Sequence, residues 1–353
     1  MYYTGIDLHK FTSYLTTVDS KGNIVKQQNM KNIDHNFIQY FSDLGNENIT
    51  TVESTMTWYW LNDLLNSMNI PMILAHAKYV KAIAYAKVKT DKVDSHTLAQ
   101  LLRMDYIPEA HKISKDLRTL RDALRARLKI VQRHTSVTNS MHLLLAKYNL
   151  DSPSQLTGIP KYQYEQLSEV EELLDTQMLD LEKQLYPDLI PNDDIQRLLW
   201  IPGIGKMNAF TILLEINDIN RFEDVKNFFS YCRLVPSARN SGGKTKQRSS
   251  KDGNKYLRVA FADAATRAVQ HYPVIRKYYN SKLRKKNKLV AKTILAKELA
   301  RIVYYTLKYK TDYNNKFKGK DLEHVKSVQW PSRYIGTGLG NYSLPRYIGA
   351  YAF

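Results

Sequence analysis

The sequence predicts a mixed α/β domain at the N-terminus, then a long helical arm, then a basic and mainly helical C-terminal domain. Three observations carry this expectation. Apolar residues alternate with period two over the first 28 positions, helix-like and strand-like patterns take turns up to residue 108, and leucines recur at spacings of three and four from residue 114. Tyr2–Leu8, Thr12–Val18 and residues 23–28 read as three strands, with Ser20-Lys21-Gly22-Asn23 as a turn, which together make a meander. Helical patterns at residues 34–44, 58–68 and 77–85 surround strand patterns at 49–53 and 70–74, as in a mixed sheet covered by helices. The first domain is expected to span residues 1–108.

Beyond it Leu117, Leu120, Leu124, Leu128, Val131, Thr135 and Thr138 recur with basic residues between them, the pattern of a long heptad-like helix. Residues 151–160, with Pro153 and Pro160, interrupt that helix, and an acidic helix over residues 163–185 follows. Residues 109–190 are therefore expected to form a helical hairpin or coiled-coil arm that dimerises or spaces domains. Pro187 and Pro191 mark the next boundary. The third domain, residues 191–310, is expected to hold helices at 222–231, 256–271 and 290–309 with their apolar residues in its core. The tail, residues 311–353, is rich in Tyr and Gly without a period and reads as an irregular extension.

A chain of 353 residues with 43% hydrophobic content builds real cores, which excludes a disordered protein. Its single cysteine, Cys232, excludes a disulfide framework and a paired-cysteine zinc site, and its apolar neighbours predict a buried structural thiol in a reducing compartment. No long apolar run and no signal-peptide core are present, so the expectation is a soluble, cytoplasmic protein with no membrane partner. The net charge of +18 is unevenly spread: residues 151–195 hold 2 basic against 11 acidic residues, whereas residues 196–310 hold 25 against 7. That local excess is the electrostatic footprint of a polyanion binder. The basic residues are interspersed with Tyr and Asn and do not line one face of an amphipathic helix, which argues against a membrane surface.

Four acids point to chemistry. Asp7 and Glu53 each end a predicted strand, while Asp91 and Asp94 follow Thr90, a candidate helix N-cap, at a spacing that puts both on one helical face. Each acid alone has an ordinary structural explanation. In the order strand Asp, strand Glu, helix Asp-x-x-Asp, behind a meander, they follow the topology of an RNase H fold, and four oxygen donors suit Mg²⁺ or Mn²⁺. His9, two residues after Asp7 on the same strand face, is open to a role near the metal, though such a histidine more often reads as a surface residue or one that supports a ligand from behind.

In the basic domain Ile201-Pro202-Gly203-Ile204-Gly205-Lys206 resembles a helix-hairpin-helix turn, whose backbone amides bind phosphates without reading sequence; it lacks the spacing of a Walker A loop. Residues 234–254 mix small and basic side chains and read as a solvent-facing loop. Two functions fit that composition. One is phosphate binding through Lys206, Lys244, Lys246, Arg248 and Lys251; the other is nucleophilic attack by Ser241, beside two glycines that let a phosphodiester come close and near cations that stabilise charge. Ser249 and Ser250 compete for that role.

The acidic tetrad with Thr90-Asp91-Lys92-Val93-Asp94, Ile201-Pro202-Gly203-Ile204-Gly205, Leu234-Val235-Pro236 and Ser241-Gly242-Gly243-Lys244 together resemble the insertion-sequence transposases of family one hundred and ten over residues 1–310. These are bridge-RNA-guided DNA recombinases, and they include pilin-gene invertases. The resemblance implies a RuvC-like domain with Asp7, Glu53, Asp91 and Asp94 as metal ligands, and a serine transposase domain with Ser241 attacking DNA. It also implies a noncoding bridge RNA that pairs with donor and target DNA, and dimers joined into a tetramer. Two other readings remain at this point: a metal-only Holliday-junction-type nuclease that needs the tetrad but not Ser241, and a non-catalytic nucleic-acid-binding protein in which the acids are structural.

Overall fold

The computed structural model describes residues 1–45, 47–83, 90–241, 244–249 and 252–313, with backbone alone at 237–241 and 244–249. The chain divides into two compact units, residues 1–115 and 116–353.

The first unit begins with β1 (Tyr2–Leu8), β2 (Thr12–Val18) and β3 (Ile24–Lys31), paired antiparallel as the predicted meander. Asp19 fixes the turn between β2 and β3, its Oδ1 accepting from the Lys21 and Asn23 amides at 2.9 and 2.8 Å, and Gly22 supplies the left-handed residue at φ +89°. β3 runs three residues beyond the expected end, through Asn29, Met30 and Lys31. It is an edge strand, so backbone pairing to β2 carries it past the point where its side chains stop alternating.

The remaining elements are α1 (Asp34–Ser42), β4 (Asn48–Glu53), α2 (Trp58–Ser67), β5 (Met72–Ala75), α3 (Ala77–Ile83) and α4 (Asp91–Arg103). β4 and β5 join the sheet parallel to β1, giving the order β3-β2-β1-β4-β5. β5 starts at Met72 because Pro71, without an N–H, serves only as an acceptor for the Thr50 amide.

The two faces of this sheet differ. Ile6, Leu8, Leu15 and Val52 point into a core with Phe37, Tyr40, Phe41, Leu61 and Leu65. On that face Thr4, Thr17 and Tyr40 form a buried hydroxyl chain with 2.7 and 2.8 Å links, and burial pushes the Tyr40 phenol up to about 12.

The other face is closed by α4, which lies so near β1 that a Cβ on Gly5 would stand 2.1 Å from the Ser95 carbonyl oxygen and 2.4 Å from the Ala99 nitrogen. Thr16 and Ser95 share a buried hydrogen bond of 2.7 Å across the same contact. Gly5→Ala therefore cannot be absorbed without moving backbone. Overpacking of this kind is expected to destabilise the unit by about 3 kcal/mol, seen as a lowered denaturant midpoint with unchanged m-value.

The second unit opens with α5 (Lys115–Lys147) and α6 (Gly158–Leu185). Asn149 at φ +50° ends the first, and a 3-10 turn at Pro153–Gln155, closed by a capping box between Ser152 and Gln155, reverses the chain. α6 starts at Gly158, five residues before the sequence suggests. Pro160 falls in its first turn, where a missing N–H costs no helical bond. The two helices lie antiparallel, joined by Arg127–Glu182 at 2.5 Å, His134–Asp175 at 3.2 Å and a Thr138–Glu171 hydrogen bond.

The helices α7 (Asp193–Leu199), α8 (Lys206–Ile216) and α9 (Val225–Tyr231) follow. A two-stranded ribbon, β6 (Pro236–Ser241) and β7 (Lys244–Ser249), leads to α10 (Lys255–His271), α11 (Pro273–Leu283) and α12 (Lys288–Tyr309). Phe222, expected to open α9, instead ends a 3-10 turn at Ile219–Arg221, and Asp224 caps α9 through the Asn227 amide at 2.7 Å.

The core of this unit holds Ile195, Leu198, Ile201, Phe210, Phe228, Leu257, Phe261, Leu295, Leu299 and Val303. Cys232 is fully buried there, as its neighbours suggested, and burial pushes its thiol well up. Among the described residues no helix is long and apolar enough to cross a membrane. The expected tail lies outside the described residues beyond residue 313.

Candidate metal centre and serine hairpin

β1 and β4 bring two acids to one edge of the first unit. Their parallel register pairs Ile6 with Val52, so Asp7 and Glu53 are the next positions on neighbouring strands, whose backbones run about 4.8 Å apart. Side chains alternate across a sheet; since Ile6 and Val52 fill the opposite core, Asp7 and Glu53 turn to the α4 face, with Gly5. Thr90 caps α4 by accepting from the Val93 amide at 3.2 Å, which places Asp91 and Asp94 in its first turn, where the helix dipole favours negative charge. The close approach of α4 at Gly5 is what carries that turn to the end of β1.

Donor atoms of Asp7, His9 and Asp91 all lie within 4.8 Å of one another. His9 Nε2 stands 3.3 Å from Asp7 Oδ2 and 3.4 Å from Asp91 Oδ1. The set therefore mixes carboxylate oxygens with an imidazole nitrogen, a combination that accepts a divalent ion such as Mg²⁺ or Mn²⁺. Glu53 takes the position beside Asp7 on the next strand and Asp94 comes one helical turn after Asp91, and neither is among the three residues whose donor atoms converge. His9 lies one residue beyond the end of β1, and its Nε2 still meets Asp7. The fold alone shows that it reaches a helix residue more than 80 positions away.

Within the predicted loop at residues 234–254, Pro236–Ser241 and Lys244–Ser249 pair as a β-ribbon. Ser241 ends β6 and pairs with Lys244, so only Gly242 and Gly243 separate the strands. Two glycines between extended runs are a hairpin signal that the small, basic composition masked. Ser249 pairs with Pro236 at the opposite end of the ribbon, while Ser250 and Lys251 lie outside the described residues. Lys244, Lys246 and Arg248 take alternate positions of β7, in register with Ser241, Arg239 and Ser237.

The base of the ribbon is fastened to the helical core. Gly253, at φ +95°, comes so close that a Cβ there would stand 2.4 Å from the Tyr231 carbonyl oxygen, and its own carbonyl accepts from Arg233 Nε at 2.8 Å. Asn254 caps α10 through the Tyr256 and Leu257 amides and donates from Nδ2 to Glu215 Oε2 at 2.7 Å. Buried Glu215 in turn receives two hydrogen bonds from Arg125 of α5, at 2.5 and 2.7 Å. Removing one partner of such a pair leaves a buried charge uncompensated, a loss of about 3 to 5 kcal/mol. Arg125, Glu215 and Asn254 carry no local sequence signal, being distant in sequence and joined only by packing.

Lys206, expected on phosphate, is the first residue of α8 and half-buried, with Nζ 4.4 Å over the Tyr186 ring; burial draws its pKa down. Gly203, at φ +83°, sits where a Cβ would lie 2.1 Å from the Ala264 carbonyl oxygen, so this glycine is required by packing against α10.

Two family models match the chain. One, described as a DEDD transposase, covers residues 4–150, and the other, "Transposase IS116/IS110/IS902 family", covers residues 195–280. Among similar proteins is the "Transposase for insertion sequence element IS1328" of Yersinia enterocolitica, 22% identical over 85% of this chain and 95% of its own length. The "Transposase for insertion sequence element IS1111A" of Coxiella burnetii is 24% identical over 76% of this chain and 78% of its own. A "Probable family 20 transposase" of Pseudomonas aeruginosa is 24% identical over 88% and 97%.

Proposed function

Because the chain belongs to the IS116/IS110/IS902 family of transposases, enzymes that cut and rejoin DNA, we propose that it is an RNA-guided recombinase of an insertion sequence combining a metal-binding acidic site with a serine nucleophile. In this reading residues 1–108 form the RuvC-like domain, 109–190 a coiled-coil arm, 191–310 the serine domain and 311–353 an appended tail. It acts in the cytoplasm on donor and target DNA.

Asp7, Glu53, Asp91 and Asp94 would hold a cation, Mg²⁺ or Mn²⁺, which when bound would supply positive charge at the scissile phosphate. The Ser241 oxygen bonds to phosphorus as the bond from phosphorus to a deoxyribose oxygen breaks, and the proton lost from serine is balanced by the one the departing oxygen takes up as a hydroxyl, leaving a phosphoserine link; the rejoining step reverses this on a second strand. The ribbon contributes cations but no carboxylate except Asp252 nearby, so the acidic site of another protomer meets Ser241 in the assembled complex. Dimers joined through the arm into a tetramer provide that meeting.

Alternate residues of a strand share a face, so Lys244, Lys246 and Arg248 share one and hold phosphates flanking the cut; Lys251, outside the described residues, is assigned the same role from the sequence. The turn before α8 acts as a helix-hairpin-helix element, its amides and Lys206 meeting the backbone of the duplex. A structured RNA reads sequence by base pairing.

The observation that carries this reading is the convergence of Asp7 and Asp91 donor atoms, from strand and helix, at the C-terminal end of the sheet's central strand in the family's DEDD domain. Recombination reconstituted from purified protein, DNA and the RNA encoded beside the gene tests it. Recombination should follow changes in the RNA, and protein alone cutting one specific sequence as efficiently as the complex would exclude guidance. Affinity should also fall with salt at a log-log slope of about −0.7 to −0.9 per phosphate contacted. Replacing Lys244, Lys246 and Arg248 together by Ala should flatten that slope by roughly 2 to 3 units, measured by fluorescence anisotropy.

A further inference from the structure

We propose that His9 is a direct ligand of the ion held by Asp7 and Asp91, and that its nitrogen makes the centre prefer Mn²⁺ to Mg²⁺. The inference rests on the metal-binding reading above and deepens it.

Ligands bound cis to one another in an octahedron, about 2.1 Å from the ion, lie about 3 Å apart. His9 Nε2 is 3.3 Å from Asp7 Oδ2 and 3.4 Å from Asp91 Oδ1, and the three donor atoms fit within 4.8 Å. A shift of a few tenths of an ångström brings His9 Nε2 to the spacing of a ligand cis to each of the two carboxylate oxygens.

The backbone of His9 is pinned where the strand turns. Its N–H donates to the Thr12 carbonyl at 3.1 Å, and its carbonyl accepts from Asn32 Nδ2 at 2.8 Å. Asn32 is itself held through Oδ1 by the buried Ser13 hydroxyl at 2.6 Å. His9 thus starts from a fixed Cα, and its side chain remains half-exposed, so an ion from solvent reaches Nε2 without unpacking the fold.

Donor chemistry then decides selectivity. Mg²⁺ takes oxygen ligands and sheds water reluctantly, whereas Mn²⁺, equally at home among carboxylates, is a softer first-row transition ion that accepts an imidazole nitrogen beside them more readily than Mg²⁺ does. An all-carboxylate centre lacks that bias; a centre with one imidazole has it.

The test is Mn²⁺ and Mg²⁺ titration of the full chain, with electron spin echo spectra of the Mn²⁺ form. Wild type should show modulation from a directly bound imidazole nitrogen. His9→Ala should lose it and bind Mn²⁺ roughly tenfold more weakly, with Mg²⁺ affinity changed less than about twofold. His9→Gln, which returns an oxygen donor, should leave the nitrogen signal absent. Mn²⁺ bound without nitrogen modulation, or with equal affinity in His9→Ala, would overturn the role of His9 and leave the carboxylate centre standing. Absence of Mn²⁺ binding in wild type, or binding unchanged by Asp7→Asn, would overturn the metal reading as well.

Discussion

Ser241→Ala is expected to abolish strand exchange and any covalent protein–DNA adduct while leaving folding and nucleic-acid binding nearly intact. A hydroxyl beside a two-glycine connection contributes little to stability, whereas removing the nucleophile of a covalent mechanism lowers turnover by roughly a thousandfold or more. A free serine hydroxyl is a weak nucleophile, so its attack needs a group to take the proton and cations to stabilise the crowded phosphorus. The register gives Ser241 a specific advantage over its competitors: it ends β6 next to the connection, whereas Ser249 is paired at the far end of the ribbon. Trapping an adduct on a DNA substrate and mapping the modified peptide by mass spectrometry measures this. Full recombination by the Ala variant would move the role to Ser249 or Ser250, or to cleavage by the metal centre alone.

Asp7→Asn should be equally damaging through a different route. Asp7 is one acid of the donor group, 3.3 Å from His9 and at the position beside Glu53 on the next strand, so in the proposed reading its loss removes a ligand and part of the negative charge that draws an ion in. Wild-type protein should gain stability on adding Mn²⁺ or Mg²⁺, by about 2.7 kcal/mol at a concentration one hundredfold above Kd. Asp7→Asn should show little of this gain and little DNA cleavage. Differential scanning calorimetry with and without the metal, alongside a cleavage assay, separates the outcomes. Equal metal-dependent stabilisation in the variant would show that the ion binds elsewhere.

Much of the architecture was legible because it is written in local periods. Strands at Tyr2–Leu8 and Thr12–Val18, the cap at Thr90 and the long α5 each depend on residues within one or two turns of themselves, and so does the burial of Cys232 among apolar neighbours. The pairing of Asp91 with Asp94 on one helical face is likewise a matter of spacing.

The features that escaped are non-local. β3 continues past its apolar pattern because pairing with β2 supplies the stability that its side chains do not. Residues 234–254 look like a loop because their hydrogen-bond partners lie across the ribbon, a relation that composition does not express. His9 joins the candidate metal centre only because α4 settles against Gly5, bringing Asp91 to it. Arg125, Glu215 and Asn254 meet only when α5, α8 and the start of α10 have packed. The sequence by itself determined most of the segments that become helix or strand, the β6–β7 ribbon excepted, and which residue types carry the chemistry, since these follow from short-range sterics and side-chain identity. The tertiary structure decided which of those residues touch, because contact between distant segments is set by how closely their backbones pack, here by a missing Cβ at Gly5 and a buried charge at Glu215.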